Sequence, residues 1–246
     1  MPAERPTILA TSGGLTPGRR VRWDFAPLTD FAIELADVDG RAPRICLLAT
    51  AMGDSPAIVS AFYDAALQQR LAPSHVALLP MPNVDDLRGH LLGQDVIWVF
   101  GGSVAGLLAL WRLHGLDTIL REAWHAGVVL TGVSAGSICW HVGGTTDSFG
   151  PDLRAVTDGL GFVPYSNGVH YDTEEQRRPT FQRLIADGTL PAGYATDDGV
   201  GVLYRGTEMV EALSEVKGKG AYRVTRDGGK AREERIEPRL LPGAAG

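Results

Sequence analysis

Five short stretches, TILAT (7–11), RICLLAT (44–50), HVALLP (75–80), DVIWVF (95–100) and GVVLTG (127–132), are largely apolar and do not alternate with polar residues. Runs of this length and composition fit strands covered on both faces, which predicts a parallel sheet. Between them, apolar residues recur at helical spacing. Ile58, Phe62, Ala66 and Leu67 are expected to share one face of a helix over Pro56 to Arg70, and a second helix is expected over Val104 to Leu113. Strand and helix in alternation imply right-handed crossovers with helices on both sides of the sheet, so the fold expected is an α/β three-layer sandwich with a mostly parallel central sheet. The last third changes character. AGYATDDGVGVLYRGTEMVEALS reads as short strands joined by tight turns, and AYRVTRDGGKARE as a hairpin turning at Asp227-Gly228, so antiparallel strands are expected near the C-terminus. One α/β domain over 1–246 accounts for the pattern, with a frayed tail from Pro238.

Composition narrows the function. The 246 residues are 44% hydrophobic and suffice for one sizeable core. No apolar run approaches the roughly 20 residues of a membrane span, and the start of the chain lacks a signal-peptide pattern, so a cytoplasmic protein without membrane contact is expected. A net charge of -6 argues against nucleic-acid binding, and the basic stretch Lys217 to Arg235 reads as a solvated hairpin face. Cys46 and Cys139 sit in apolar segments with no disulfide framework or zinc spacing. No metal or cofactor is expected, and a homodimer is the assembly left open.

The chemistry gathers in VVLTGVSAGSICW (128–140). Gly132, Ser134 and Gly136 match G-x-S-x-G between an expected strand and an expected helix, the setting in which a sharp elbow exposes a nucleophilic serine. The alternative is a serine that merely caps the helix. As a nucleophile, Ser134 needs a base, normally histidine. His141 lies seven positions further along the same expected helix, roughly 10 Å along its axis and too far for a hydrogen bond. His75, His90, His114 and His125 precede the elbow and fit surface roles. His170, in NGVHYD, ends a short β-like segment, where the catalytic groups of open α/β sheets gather. Two carboxylates compete to orient it: Asp147 in GGTTDSFG, which is favoured, and Asp198 in GYATDDGV. Gly101 and Gly102 follow a strand and offer N–H groups which, with that of Ala135, could serve an oxyanion. Their G-G-x-x-x-G spacing does not fit a dinucleotide loop.

With Gly101-Gly102, GVSAGSICW, TTDSFG and VHYDTEEQRRP in this order, the sequence resembles the peptidase E family of serine dipeptidases, which has the class I glutamine amidotransferase-like fold. The resemblance implies a Ser-His-acid peptidase that removes an N-terminal aspartate from small peptides. Ser134 would be its nucleophile, His170 its base and Asp147 its acid, with oxyanion donors near Gly102 and Ala135. Ser103 stands where the family commonly has Asn or Asp. Glu174 lies near the place of the arginine that holds the substrate carboxylate in aspartate-specific members, which leaves Arg177 and Arg178 as candidates for that task; otherwise both are surface charges paired with Glu174 or Glu175. Cyanophycinases share the fold and the elbow, and their acid matches Asp198 better. A glutamine amidotransferase would need cysteine at 134, and an ordinary α/β-hydrolase esterase would carry its histidine closer to the C-terminus. The remaining alternative is a binding module that has lost its activity.

Overall fold

The computed structural model describes residue 3 and residues 5–245. In chain order its strands are β1 (Thr7–Thr11), β2 (Leu15–Pro17), β3 (Trp23–Phe25), β4 (Arg44–Leu48), β5 (Ala72–Val76), β6 (Val96–Val99), β7 (Val129–Val133) and β8 (Gly143–Thr146), followed by β9 (Arg154–Val156), β10 (Ser166–Gly168), β11 (Gly193–Thr196), β12 (Val200–Arg205), β13 (Glu208–Val216), β14 (Ala221–Asp227), β15 (Lys230–Ile236) and β16 (Arg239–Ala245). The helices are α1 (Pro27–Glu34), α2 (Pro56–Gln68), α3 (Leu87–Leu92), α4 (Val104–His114), α5 (Leu116–His125), α6 (Ala135–Ile138) and α7 (Arg177–Ala186).

An eight-stranded sheet runs β16-β13-β12-β1-β7-β6-β4-β5. The pairs from β1 to β5 are parallel, and β12 pairs antiparallel with both β1 and β13. Its strands read as unbroken apolar runs because alternate residues are buried on opposite faces. Ile8, Ala10, Cys46, Leu48, Ile97, Val99 and Leu130 join one cluster with residues of α4 and α5, whereas Ile45, Leu47, Val96, Trp98 and Val129 join another with α2. Leu9 packs with Leu28 and Ala32 of α1. This is the α/β sandwich with a mixed, mostly parallel sheet and antiparallel C-terminal strands. Among the described residues, no helix is long and apolar enough to cross a membrane.

Several expectations change. Leu67 is 64% exposed while Ala65 is buried, because nine residues at 100° each put Leu67 half a turn from Ile58. The strand near His75 starts earlier, at Ala72, and ends at Val76. Residues 239–245 pair with β13 as an edge strand instead of fraying. The hairpin does turn after Asp227, through Gly228 and Gly229 at φ 54° and 81°, but it extends a second sheet. That sheet has six strands in the order β15-β14-β11-β10-β8-β9, with α7 packed against it through Phe181, Leu184 and Ile185.

Candidate active site

The segment from β7 into α6 makes the elbow. Ser134 adopts φ 58°, ψ -113°, a conformation that L-residues with a side chain seldom occupy. It is held there by sterics on both sides. A Cβ on Gly136 would lie 2.2 Å from the Val99 carbonyl oxygen, and one on Gly132 would lie 2.6 Å from the same atom. The β7 strand and the short helix thus close onto the end of β6 only because both positions are glycine. Ser134 does not cap α6 through its side chain, so helix capping does not account for its hydroxyl.

Gly101 and Gly102 complete this floor. A Cβ on Gly101 would come within 3.2 Å of Ser134 Cβ, and one on Gly102, at φ 130°, would lie 2.4 Å from the Ala51 carbonyl oxygen. Among the described residues, the N–H groups of Gly101, Gly102 and Ala135 donate to no acceptor in the chain. Ser103, by contrast, is occupied: it caps α4 by accepting from the Gly106 N–H at 3.1 Å.

His170 follows β10, and the register of the second sheet explains why two acids competed for it. β10 lies between β8 and β11, parallel to both, with Asn167 opposite Gly144 and Gly168 opposite Ala195. Counting on, His170 leaves the sheet beside Asp147 on one side and Asp197-Asp198 on the other. The ring goes to Asp198: Nδ1–H donates to Asp198 Oδ1 at 2.5 Å, which leaves Nε2 free to accept a proton. Thr173 donates to the other Asp198 oxygen at 2.8 Å, and the Asp198 N–H donates to Asp172, itself paired with Lys219. Burial pushes the Asp198 carboxyl up, but the His170 and Thr173 hydrogen bonds and the charges of His170 and Lys219 outweigh it and hold the group below its ordinary value of 3.8. Its neighbour Asp197 moves the other way, since burial dominates despite the Gly220 N–H.

The expected contact of Asp147 with His170 is therefore absent. Gly143–Thr146, which leads to Asp147, is strand β8 of the second sheet. Asp147 at its end is 61% exposed and approaches Arg177 at 3.9 Å. The two arginines expected to hold a substrate carboxylate are also engaged inside the chain. Arg177 is 3% exposed and donates to Glu174 at 2.6 Å and to the Thr145 carbonyl at 2.8 Å. Arg178 pairs with Glu233 and lies over the rings of Tyr171 and Tyr222. His141 lies beyond the end of α6 and is fully buried, between the Ser137 carbonyl and the Tyr204 hydroxyl; burial lowers its pKa to about 4.

Sequence reasoning missed Thr11 and Ser12, at the end of β1. The Ser134 N–H donates to the Thr11 carbonyl at 3.1 Å, and the His170 N–H to Ser12 Oγ at 3.2 Å, so adjacent residues hold the elbow and the base. Their run, ATSGG, carries no pattern that points to this task.

Comparison with known proteins places the chain in a family. The family model of peptidase family S51 matches residues 9–212. The chain is 45% identical over 182 residues to the "uncharacterized peptidase YgaJ" of Bacillus subtilis (strain 168), covering 74% of this chain and 78% of that protein. Its fold is similar to the crystal structure of a peptidase from an acI-B1 Actinobacterium, with TM-score 0.66, 15% identity and 95% of each chain covered. It is also similar to a protein of Listeria monocytogenes EGD-e described as a candidate peptidase E, with TM-score 0.58, 19% identity, and 83% of this chain and 96% of that one covered. With its serine elbow and a family match over most of its length, the chain belongs to peptidase family S51 and is a serine peptidase.

Proposed function

We propose that the chain hydrolyses short peptides from a free N-terminus through a triad of Ser134, His170 and Asp198. The observation that carries this reading is the 2.5 Å hydrogen bond from His170 Nδ1 to Asp198, which leaves Nε2 as the basic nitrogen on a residue tied to the same strand end as Ser134. Ser134 Oγ attacks the scissile carbonyl while Nε2 takes its proton, and Asp198 stabilises the imidazolium that forms. The oxyanion accepts hydrogen bonds from the N–H groups of Gly101, Gly102 and Ala135. Nε2 then returns the proton to the leaving amine, and water repeats the sequence on the acyl-enzyme.

The aspartate preference implied by the resemblance draws no support from Arg177 and Arg178, which are engaged elsewhere. A cavity of about 440 Å³ is instead lined by the carboxylates of Asp147, Glu174 and Glu175. None of the triad residues lines it; its link to the base is through the backbone, where the Glu174 N–H donates to the His170 carbonyl at 3.2 Å. Arg177 offsets one of these three charges, and the remaining negative charge disfavours an acidic side chain, so the first residue of the substrate is neutral or basic in this reading. The acid's place after the histidine is also the cyanophycinase order, which keeps isoaspartyl peptides among the substrates to test.

A panel of Asp-X, isoaspartyl-X, Ala-X and Lys-X dipeptides, with fluorophosphonate labelling of the wild type, tests both halves. Labelling at Ser134 and faster turnover of Ala-X or Lys-X than of Asp-X are expected. Loss of labelling in Ser134→Ala without loss of peptide hydrolysis would remove the triad, and a dominant Asp-X activity would remove the charge argument.

A further inference from the structure

The backbone groups around the proposed triad converge on two residues, Thr11 at the end of β1 and Ser12 just after it. Thr11 accepts the Ser134 N–H through its carbonyl at 3.1 Å, Ser12 accepts the His170 N–H through its hydroxyl at 3.2 Å, and the Ser12 carbonyl accepts the N–H of Gly199, next to Asp198, at 3.0 Å. The Ser12 N–H donates across to the Val200 carbonyl at 2.8 Å, which fixes this strand end against the start of β12. Nucleophile, base and acid, from three distant parts of the chain, are thus referenced to one dipeptide.

The hydroxyl of Ser12 is the one side-chain group in this convergence. It is buried and lies 2.6 Å from Thr196 Oγ1 and 3.3 Å from the Thr196 carbonyl, so its position is set from the end of β11 as well as from β1. His170 needs such an anchor, because its backbone stands at φ 52°, where a residue with a β-carbon is strained. If the anchoring acceptor is lost, the His170 backbone can relax toward negative φ, which would swing the imidazole away from both the elbow and Asp198.

We propose that Ser12 is a positioning residue: its hydroxyl, locked by Thr196, holds the His170 backbone in its left-handed conformation and thereby sets the base against Ser134. The inference rests on the triad reading above. It predicts that Ser12→Ala lowers kcat by about 10- to 100-fold while KM changes by less than about threefold, the pattern of a displaced catalytic group. Thr196→Val, which keeps the side-chain shape and removes the nearer of the two partners of the Ser12 hydroxyl while leaving the Thr196 carbonyl, should shift kcat in the same direction by about three- to tenfold, and it answers the question if Ser12→Ala fails to fold. The second readout needs no substrate. The proton that His170 shares with Asp198 should give a far-downfield resonance in the wild type, broadened or moved in both variants, whereas a residue that only supports the fold would lower the melting temperature and leave that signal in place. Wild-type kcat with an unmoved His170 resonance, in Ser12→Ala or in Thr196→Val should the first not fold, overturns the inference. A wild type that is not labelled at Ser134 and cleaves no peptide is a different result; it removes the triad, and the role of Ser12 with it.

Discussion

At the scale of single residues, the candidate site is a set of positions where local preference is overruled. Ser134 and His170 both stand at positive φ, and the N–H of each donates to the end of β1, Ser134 to the Thr11 carbonyl and His170 to the Ser12 hydroxyl. Asp198 gives the sharpest test. Asp198→Asn should lower kcat by roughly 10²- to 10⁴-fold because the amide no longer stabilises the charged ring, whereas Asp147→Asn should stay within about threefold of wild type; comparable losses in the two variants, measured on one peptide, would reverse the assignment. The lowered pKa of Asp198 also has a stability consequence. A carboxyl that ionises more readily in the folded chain stabilises it above the unfolded value of 3.8, and this contribution is lost as pH falls through the lower folded value. The stability gap between wild type and Asp198→Asn should therefore close only below pH 3.8, as read by denaturant titration at a series of pH values. A gap that closes nearer pH 6 would mean that another group is being titrated.

At the scale of elements, packing distances decide which residues the turns tolerate. A methyl group on Gly136 would sit 2.2 Å from the Val99 carbonyl oxygen, so the contact between α6 and β6 has no room for alanine. Gly136→Ala should cost about 1–3 kcal/mol in denaturant unfolding and abolish labelling at Ser134, since the elbow must open to admit the methyl. A fully labelled, equally stable variant would show that the elbow is softer than this geometry implies. Glu215 of β13 clamps the other end of the same region. Its two oxygens accept from the Gly14 N–H at 2.8 Å and the Leu28 N–H at 3.0 Å, tying the loop after β1 to the start of α1. Burial raises its pKa despite these two N–H groups, which act to lower it. Glu215→Gln replaces one acceptor with a donor facing an N–H and should destabilise the chain by about 1–3 kcal/mol in the same assay. No loss would mean that the loop finds another partner.

At the scale of the whole molecule, the central sheet, the helices on its two faces and the serine elbow could be read from the order of residues alone. These follow from near-neighbour physics: strands buried on both faces must be apolar throughout, and an elbow flanked by close backbone must have glycine two residues to either side of its serine. A histidine at a strand end was likewise visible in the sequence as a candidate. The carboxylate that meets its ring was not. The parallel register places Asp147 and Asp197-Asp198 on either side of His170, and nothing within either stretch ranks them; the choice was made by a buried arginine that approaches Asp147 and by Thr173 and Asp172, which steady Asp198. The arginines that sequence order offered to a substrate were likewise spent on Glu174, Thr145 and Glu233, partners set by how α7 lies on the second sheet. Helical spacing and apolar runs are written within a dozen residues. Which carboxylate meets an imidazole depends on side chains brought together from residues 12 to 198, and only the folded arrangement of the two sheets sets those distances.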